Sequence, residues 1–167
     1  IILGGMMGIS DAALTTAVSN GGGLGTLSSA TIGVDGTRAE LSKIAETTNR
    51  SFSVNLPLFH PMVPNLLDLL PEFGVKIETT SAGNPAKYID VLKDMGIFVI
   101  HVISSVRTAR KAEDAGVDAI VAEGSESGGK VAIDEVPTIS LLPQVIDSVK
   151  IPVVAAGGFA SGRGLLA

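Results

Sequence analysis

Gly116-Val117-Asp118-Ala119-Ile120-Val121-Ala122-Glu123-Gly124-Ser125-Glu126-Ser127-Gly128-Gly129-Lys130 is the stretch from which the fold is read. It opens on a glycine placed to end a helix in the left-handed conformation, which glycine adopts without a Cβ penalty. A short apolar run from Asp118 to Ala122 follows and reads as a buried strand. Two carboxylates, two hydroxyls, three glycines and one lysine then fall within eight residues, Glu123 to Lys130. Such a loop offers bare backbone N–H groups and little bulk, which suits a phosphate or a flat ring held against the main chain.

The same plan recurs along the chain. Gly74-Val75 and Gly96-Ile97 repeat the glycine-then-strand step, with spacings of 22 and 20 residues along Gly74, Gly96 and Gly116. That spacing accommodates one strand plus one helix. The expected strands are Ile1–Leu3, Leu24–Ser28, Phe52–Leu56, Val75–Thr79, Ile97–Ile103, Asp118–Ala122 and Ile151–Ala156. The expected helices are Ser10–Ser19 with Ser10 as N-cap, Thr37–Thr48 with Leu41, Ile44 and Ala45 inward, and Asn65–Phe73. Three more follow: Pro85–Met95 with Tyr88, Val91, Leu92 and Met95 inward, Ser105–Ala115, and Ser140–Ser148. Continuous apolar strands alternating with amphipathic helices predict a parallel sheet covered by helices. Seven such steps without a reversal signal predict an α/β fold of the (β/α)8 TIM-barrel kind. The chain begins inside an expected strand and stops at Ala167 in a helix barely begun. The expectation is one partial barrel domain over residues 1–167, truncated before the eighth strand. Barrel sites lie at the C-terminal ends of strands. The unusual loops at 4–8, 55–64, 123–130 and 157–164 all follow strands.

Composition bounds the function. The 167 residues carry a formal net charge of -5, which disfavours non-specific nucleic-acid binding. With no cysteine there is no thiolate nucleophile, disulfide or cysteine-ligated metal. The uncharged stretch that starts at Ala12 is broken by Gly21-Gly22-Gly23, so no membrane span is expected. No basic-then-apolar leader is visible. The expectation is a cytoplasmic protein acting on a small molecule, with no nucleic-acid or membrane partner.

Several residues carry candidate chemistry. Gly157-Gly158, after the seventh expected strand, lies where many barrels bind phosphate, although its spacing is neither a dinucleotide fingerprint nor a Walker loop. Glu123 and Glu126 suit acid–base work or the capping of loop N–H groups. Lys130 suits a phosphate, an anionic intermediate or plain solvent. His60 follows a proline-broken loop. His101, inside an apolar strand, reads as a satisfied core histidine or as a base turned into the barrel. Two isolated histidines make no metal site. Met6 and Met7 read as core, or as backbone lying against a flat cofactor.

Five motifs follow one another along the chain: Ile2-Leu3-Gly4-Gly5-Met6, Ala17-Val18-Ser19-Asn20 with Gly21-Gly22-Gly23-Leu24-Gly25, Phe52-Ser53-Val54-Asn55-Leu56, Ala115–Ala119 leading into Glu123–Gly129, and Ile151–Gly158. Together they resemble the nitronate monooxygenase (2-nitropropane dioxygenase-like) family of FMN-dependent barrel enzymes. Its relatives include NADH:quinone reductases and flavin-type enoyl-acyl-carrier-protein reductases. The resemblance implies an oxidoreductase, with oxidation of alkyl nitronates by O2 as the family's named activity. It implies non-covalent FMN, with Gly5 and Met6 at the ring through the backbone and Asn55 nearby. It also implies Glu123 near the ribityl chain or ring, Gly128 and Gly129 lining the cofactor, and Gly157 and Gly158 on the phosphate. NAD(P)H is an implied electron donor among the reductase relatives. Lys130 stands where the family commonly has a histidine that acts near the flavin, so it is the candidate catalytic residue. A lysine is protonated at neutral pH unless burial lowers its pKa. Proton abstraction from a nitroalkane therefore asks more of this residue than hydride transfer to a quinone or enoyl thioester does. The replaced histidine also motivates a reading of another class, a barrel that binds flavin or phosphate without turnover.

Overall fold

The computed structural model describes residues 1–128 and 136–166. The chain divides into two compact units, Ile1–Val99 and Ile100–Ala167. Each is α/β, with parallel strands that neighbour one another in chain order.

The first unit opens with α1 (Ala12–Asn20), β1 (Gly25–Ser28), α2 (Gly33–Thr47) and β2 (Phe52–Pro57). There follow α3 (Val63–Leu67), α4 (Leu69–Glu72), β3 (Ile77–Ser81), a 3-10 turn (Pro85–Lys87) and α5 (Ile89–Asp94). β2 pairs with β1 in the register Leu27↔Val54 and with β3 in the register Asn55↔Thr79. Side chains alternate along a strand, so this sheet has two unlike faces. Leu27, Val54 and Leu56 share one face with Glu78, all fully buried. Thr26, Ser28, Ser53, Asn55 and Thr79 form the other, and they too are buried. The Ser53 and Thr79 hydroxyls bond each other at 2.7 Å across it.

In the second unit, β4 (Phe98–Ile103, beginning two residues before the division) leads to α6 (Val106–Ala115), β5 (Ala119–Glu123) and α7 (Thr138–Ile146). β6 (Val153–Ala156) and α8 (Gly162–Leu166) follow. Ser105 caps α6 in a reciprocal box with Thr108. Ala109 and Ala112 of α6 and Leu141 and Val145 of α7 are buried, each pair at the spacing of one helical stripe. The glycines expected to end helices hold the left-handed conformation: Gly74, Gly96 and Gly116 have φ of 64°, 69° and 93°.

Several expectations are corrected. The strand at Ile1–Leu3 is a single parallel bridge, Ile2↔Leu24, because the chain turns at once into Gly4-Gly5. The other six expected strands are present with shifted ends. The helix expected from Thr37 starts earlier, at Gly33. The helix expected over Asn65–Phe73 is two short ones, because Pro71 has no N–H to return to the Leu67 carbonyl. The helix expected from Pro85 begins as a 3-10 turn and restarts after Tyr88, whose φ of -128° interrupts it. Ile89 packs inward in place of Val91, Met95 is half-buried, and Ala45 faces outward. Ser10 is not the cap of α1. Asp11 is, and it accepts the Leu14 N–H at 2.9 Å.

Candidate functional site

In the first unit, polar groups gather around the turn at 4–10. Ser10, buried, reaches back across it: its hydroxyl donates to the Gly4 carbonyl at 2.8 Å and accepts the Met6 N–H at 3.1 Å. The Met6 carbonyl accepts from the N–H groups of Ile9 and Ser10. The Met6 backbone is thereby engaged within the turn, while its side chain is exposed. Gly5 lies against Asn55. A Cβ built on Gly5 would fall 2.7 Å from the Asn55 Cγ, inside any tolerable contact. Asn55 is itself fixed. Its Nδ2 donates to the Thr79 carbonyl at 3.2 Å and the Ser81 hydroxyl at 3.4 Å, and its main-chain carbonyl accepts the Ser29 hydroxyl at 2.6 Å. Gly5 and Asn55, far apart in sequence, thus pack directly together as one shelf toward the C-terminal end of β2. Beside the turn lies a cavity of about 240 Å³ whose walls include Ile9, Leu27, Ile32 and Ala39, with Glu40 at its side. The Glu40 carboxylate is already occupied, pairing with Lys43 and accepting the Ala12 N–H at 2.7 Å. Those contacts, the lysine first, hold its pKa below the ordinary value.

In the second unit, Glu123 ends β5. Burial raises its carboxyl above the ordinary carboxylate range. The nearby Ser127 hydroxyl opposes that shift without reaching full hydrogen-bond geometry. Glu126 takes the capping role. Its Oε2 accepts the Thr138 N–H at 2.8 Å and the Thr138 hydroxyl at 2.9 Å, at the start of a helix where Pro137 supplies no side-chain cap. The Thr138 N–H is the largest of the contacts that keep Glu126 below its ordinary pKa. A helix N-terminus favours the same ionised state. Gly124 and Gly157 both press on Thr138, and a Cβ on Gly157 would lie 2.6 Å from its hydroxyl oxygen. Gly157 and Gly158 have φ of 103° and 81°, so both need the freedom of glycine.

The remaining candidates separate. His101 is buried, and its register partner on β5 is Ile120, which puts it on the sheet face opposite to Val121 and Glu123. His60 accepts the Met62 N–H on its Nδ1 at 3.2 Å, a local turn contact. Gly128 is exposed. Gly129 and Lys130 lie outside the described residues. Among the described residues no group of three or more His, Asp or Glu could hold a metal ion, and no helix is long and apolar enough to cross a membrane. Three residues went unmarked by sequence reading: Ser10 as the pin of the first turn and Ser29 in the first unit, and Thr138 in the second. Each is a small hydroxyl whose partners lie across a turn or on another element, so no local pattern marks it.

These features define a class: an α/β protein of parallel strands whose strand-end loops are stripped to glycine and backed by hydroxyls and amides. The nitronate monooxygenase family model matches residues 1–68 and 63–167, and the chain belongs to that family. A dehydrogenase of Rhodococcus jostii, named for (3aS,4S,5R,7aS)-5-hydroxy-7a-methyl-1-oxo-octahydro-1H-indene-4-carboxyl-CoA, is 36% identical over all of this chain and 47% of its own length. The solved structure of FabK from Thermotoga maritima matches with 43% identity and a TM-score of 0.93, over 98% of this chain and 52% of that one. Nitroalkane oxidase from Streptomyces ansochromogenes matches with 27% identity and a TM-score of 0.86, over 99% of this chain and 61% of that one. The chain spans about half the length of these curated relatives.

Proposed function

We propose that the protein is a flavin-dependent oxidoreductase in which this chain supplies part of a (β/α)8 barrel domain and most of a non-covalent FMN site. The observation that carries the reading is the shelf at Gly5 and Asn55. A Cβ on Gly5 would collide with the Asn55 side chain, so only glycine lets this turn lie against a rigidly held amide and offer bare backbone to a flat ring. In this reading Gly5, Met6 and Asn55 hold the ring. Glu123 and Gly128, with Gly129, flank the cofactor, and the amides of Gly157 and Gly158 take the phosphate. When bound, the flavin supplies the electron-accepting and electron-donating chemistry. The chain's own part is to hold it, keep bulk away from it, and place a proton-bearing group near it.

Nitronate oxidation with O2 is the reaction proposed first, on family membership and on the likeness to a nitroalkane oxidase. Lys130 is the proposed group at the reacting centre, where its positive charge favours an anionic nitronate over a neutral nitroalkane that needs a base. A second reading is favoured by a specific observation: the more similar relatives include FabK and a carboxyl-CoA dehydrogenase. In that reading the small-molecule substrate is a thioester or quinone and NAD(P)H is the reductant.

The test is the visible absorption spectrum of the full-length protein under anaerobic conditions. A bound-flavin spectrum bleached by an alkyl nitronate, with Lys130→Ala slowing the bleaching but retaining the flavin, is the expected result. Bleaching by NADH or NADPH alone would select the second reading. No bound flavin after FMN is supplied would overturn both.

A further inference from the structure

Gly157 and Gly158 hold a backbone conformation that a neighbouring residue has to support, and Thr138 is placed to do it. Thr138 is buried, and its hydroxyl lies within hydrogen-bond distance of three acceptors: Glu126 Oε2 at 2.9 Å, the Gly157 carbonyl at 3.1 Å and the Ala156 carbonyl at 3.2 Å. The Ala156 carbonyl also accepts the Gly124 N–H at 3.0 Å. Two successive carbonyls, the last of β6 and the first beyond it, are therefore drawn toward one threonine.

The consequence is set by peptide geometry. No peptide bond among the described residues is cis, and in a trans peptide the C=O and the following N–H point in opposite directions. The carbonyls of Ala156 and Gly157 face Thr138, so the N–H groups of Gly157 and Gly158 face away from it. Gly158 itself is exposed. Both amides are thus turned off the threonine and left as main-chain donors, the kind of group that holds anions. The packing leaves the threonine little room to shift. Gly124 and Gly157 have no space for a Cβ beside it, and a Cβ on Gly158 would meet the Glu126 Cβ at 3.4 Å.

We propose that Thr138 is a positioning residue for phosphate-ester binding: held at its N–H by Glu126, it turns the Ala156 and Gly157 carbonyls inward so that the Gly157 and Gly158 amides face the ligand. This rests on the reading of that loop as the flavin phosphate site, and the experiment separates the two.

Thr138→Val keeps the shape and removes the hydroxyl, whereas Thr138→Ser keeps the hydroxyl and removes the methyl. FMN affinity is measured by fluorescence quenching on the full-length protein, alongside amide hydrogen exchange of the segment 154–160 without FMN. The expected result for Thr138→Val is FMN binding weaker by on the order of tenfold, with faster exchange in that segment. Thr138→Ser stays within about twofold of the wild type in both, since the hydroxyl is retained. Riboflavin, which has no phosphate, binds Thr138→Val as it binds the wild type. If the serine variant loses affinity and the valine variant keeps it, packing rather than the hydroxyl matters and the proposal is overturned. Unchanged exchange in Thr138→Val overturns it as well. A wild-type protein that binds no FMN refutes the flavin reading alone, because the exchange comparison still decides whether Thr138 positions the loop.

Discussion

Replacing Glu78 by glutamine should flatten the dependence of stability on pH. Glu78 sits in β3 with no exposed area, on the face that carries Val54 and Leu56. Neither carboxyl oxygen has a hydrogen-bond partner in good geometry among the described residues. Burial pushes its pKa well above the ordinary carboxylate value, and the Leu56 backbone only partly opposes that. The folded chain therefore holds the Glu78 proton more tightly than the unfolded chain, whose glutamate titrates near pH ~4.3. The contribution to stability is fully present below that unfolded pKa and is lost as pH rises toward the folded one. The limiting slope is about 1.4 kcal/mol per pH unit. Glu78→Gln has nearly the same shape and does not titrate, so its stability should be flatter by that slope. Glu78→Val removes the unsatisfied oxygens and should be more stable than the wild type at neutral pH by about 2 kcal/mol. Urea unfolding of the full-length protein at about pH 5, 6 and 7, followed by circular dichroism, measures both effects. Equal pH slopes for the wild type and Glu78→Gln would refute the raised pKa of the buried Glu78.

Gly5→Ala forces a methyl group into the held amide of Asn55, so flavin binding should weaken at least ~10-fold, read by the absorbance retained after dialysis. An unchanged occupancy would mean that the shelf is not where the ring lies. The carboxyl carbon of Glu123, followed by NMR, should titrate above the ordinary glutamate range, and Ser127→Ala should raise its midpoint further because the hydroxyl favours the charged form. Ser105→Ala removes one half of the box that caps α6 and should cost about 1 kcal/mol, seen as a lower urea midpoint without loss of flavin.

Much of the architecture is legible in the sequence because it rests on local signals. Gly74, Gly96 and Gly116 declare the ends of helices through a conformation that other residues rarely adopt, and Ser105 declares the start of one through its own side chain. Where a signal is shared between elements it misleads. Ser10 looks like a cap by its place before an apolar run, yet Asp11 caps α1 and Ser10 pins the Gly4–Met6 turn. Asn65–Phe73 has the apolar content of one helix, but the missing N–H of Pro71 divides α3 from α4. Of the candidate site, the glycines can be read because missing bulk is visible in a sequence. The alternatives for Glu126 cannot be decided that way. Its partner Thr138 is 12 residues away, beyond the loop, and only the folded chain brings carboxylate and helix start together. His101 is ambiguous for a similar reason: the face on which a strand residue lies is fixed by register, which no single strand reveals.

Two helices here depend for their first turns on glutamates that belong to other elements: Glu40 of α2 takes the Ala12 N–H of α1, and Glu126 takes the Thr138 N–H of α7. As the chain emerges during synthesis, α1 appears with Asp11 as its own cap, but its Ala12 amide must wait 28 residues for Glu40. For α7 the order is reversed, since Glu126 is already made when the helix begins. α1 therefore completes its start only after α2 has docked, while α7 can close on a partner that precedes it. The same chemistry, a borrowed carboxylate on an orphan amide, thus makes one helix whole late and the other at once.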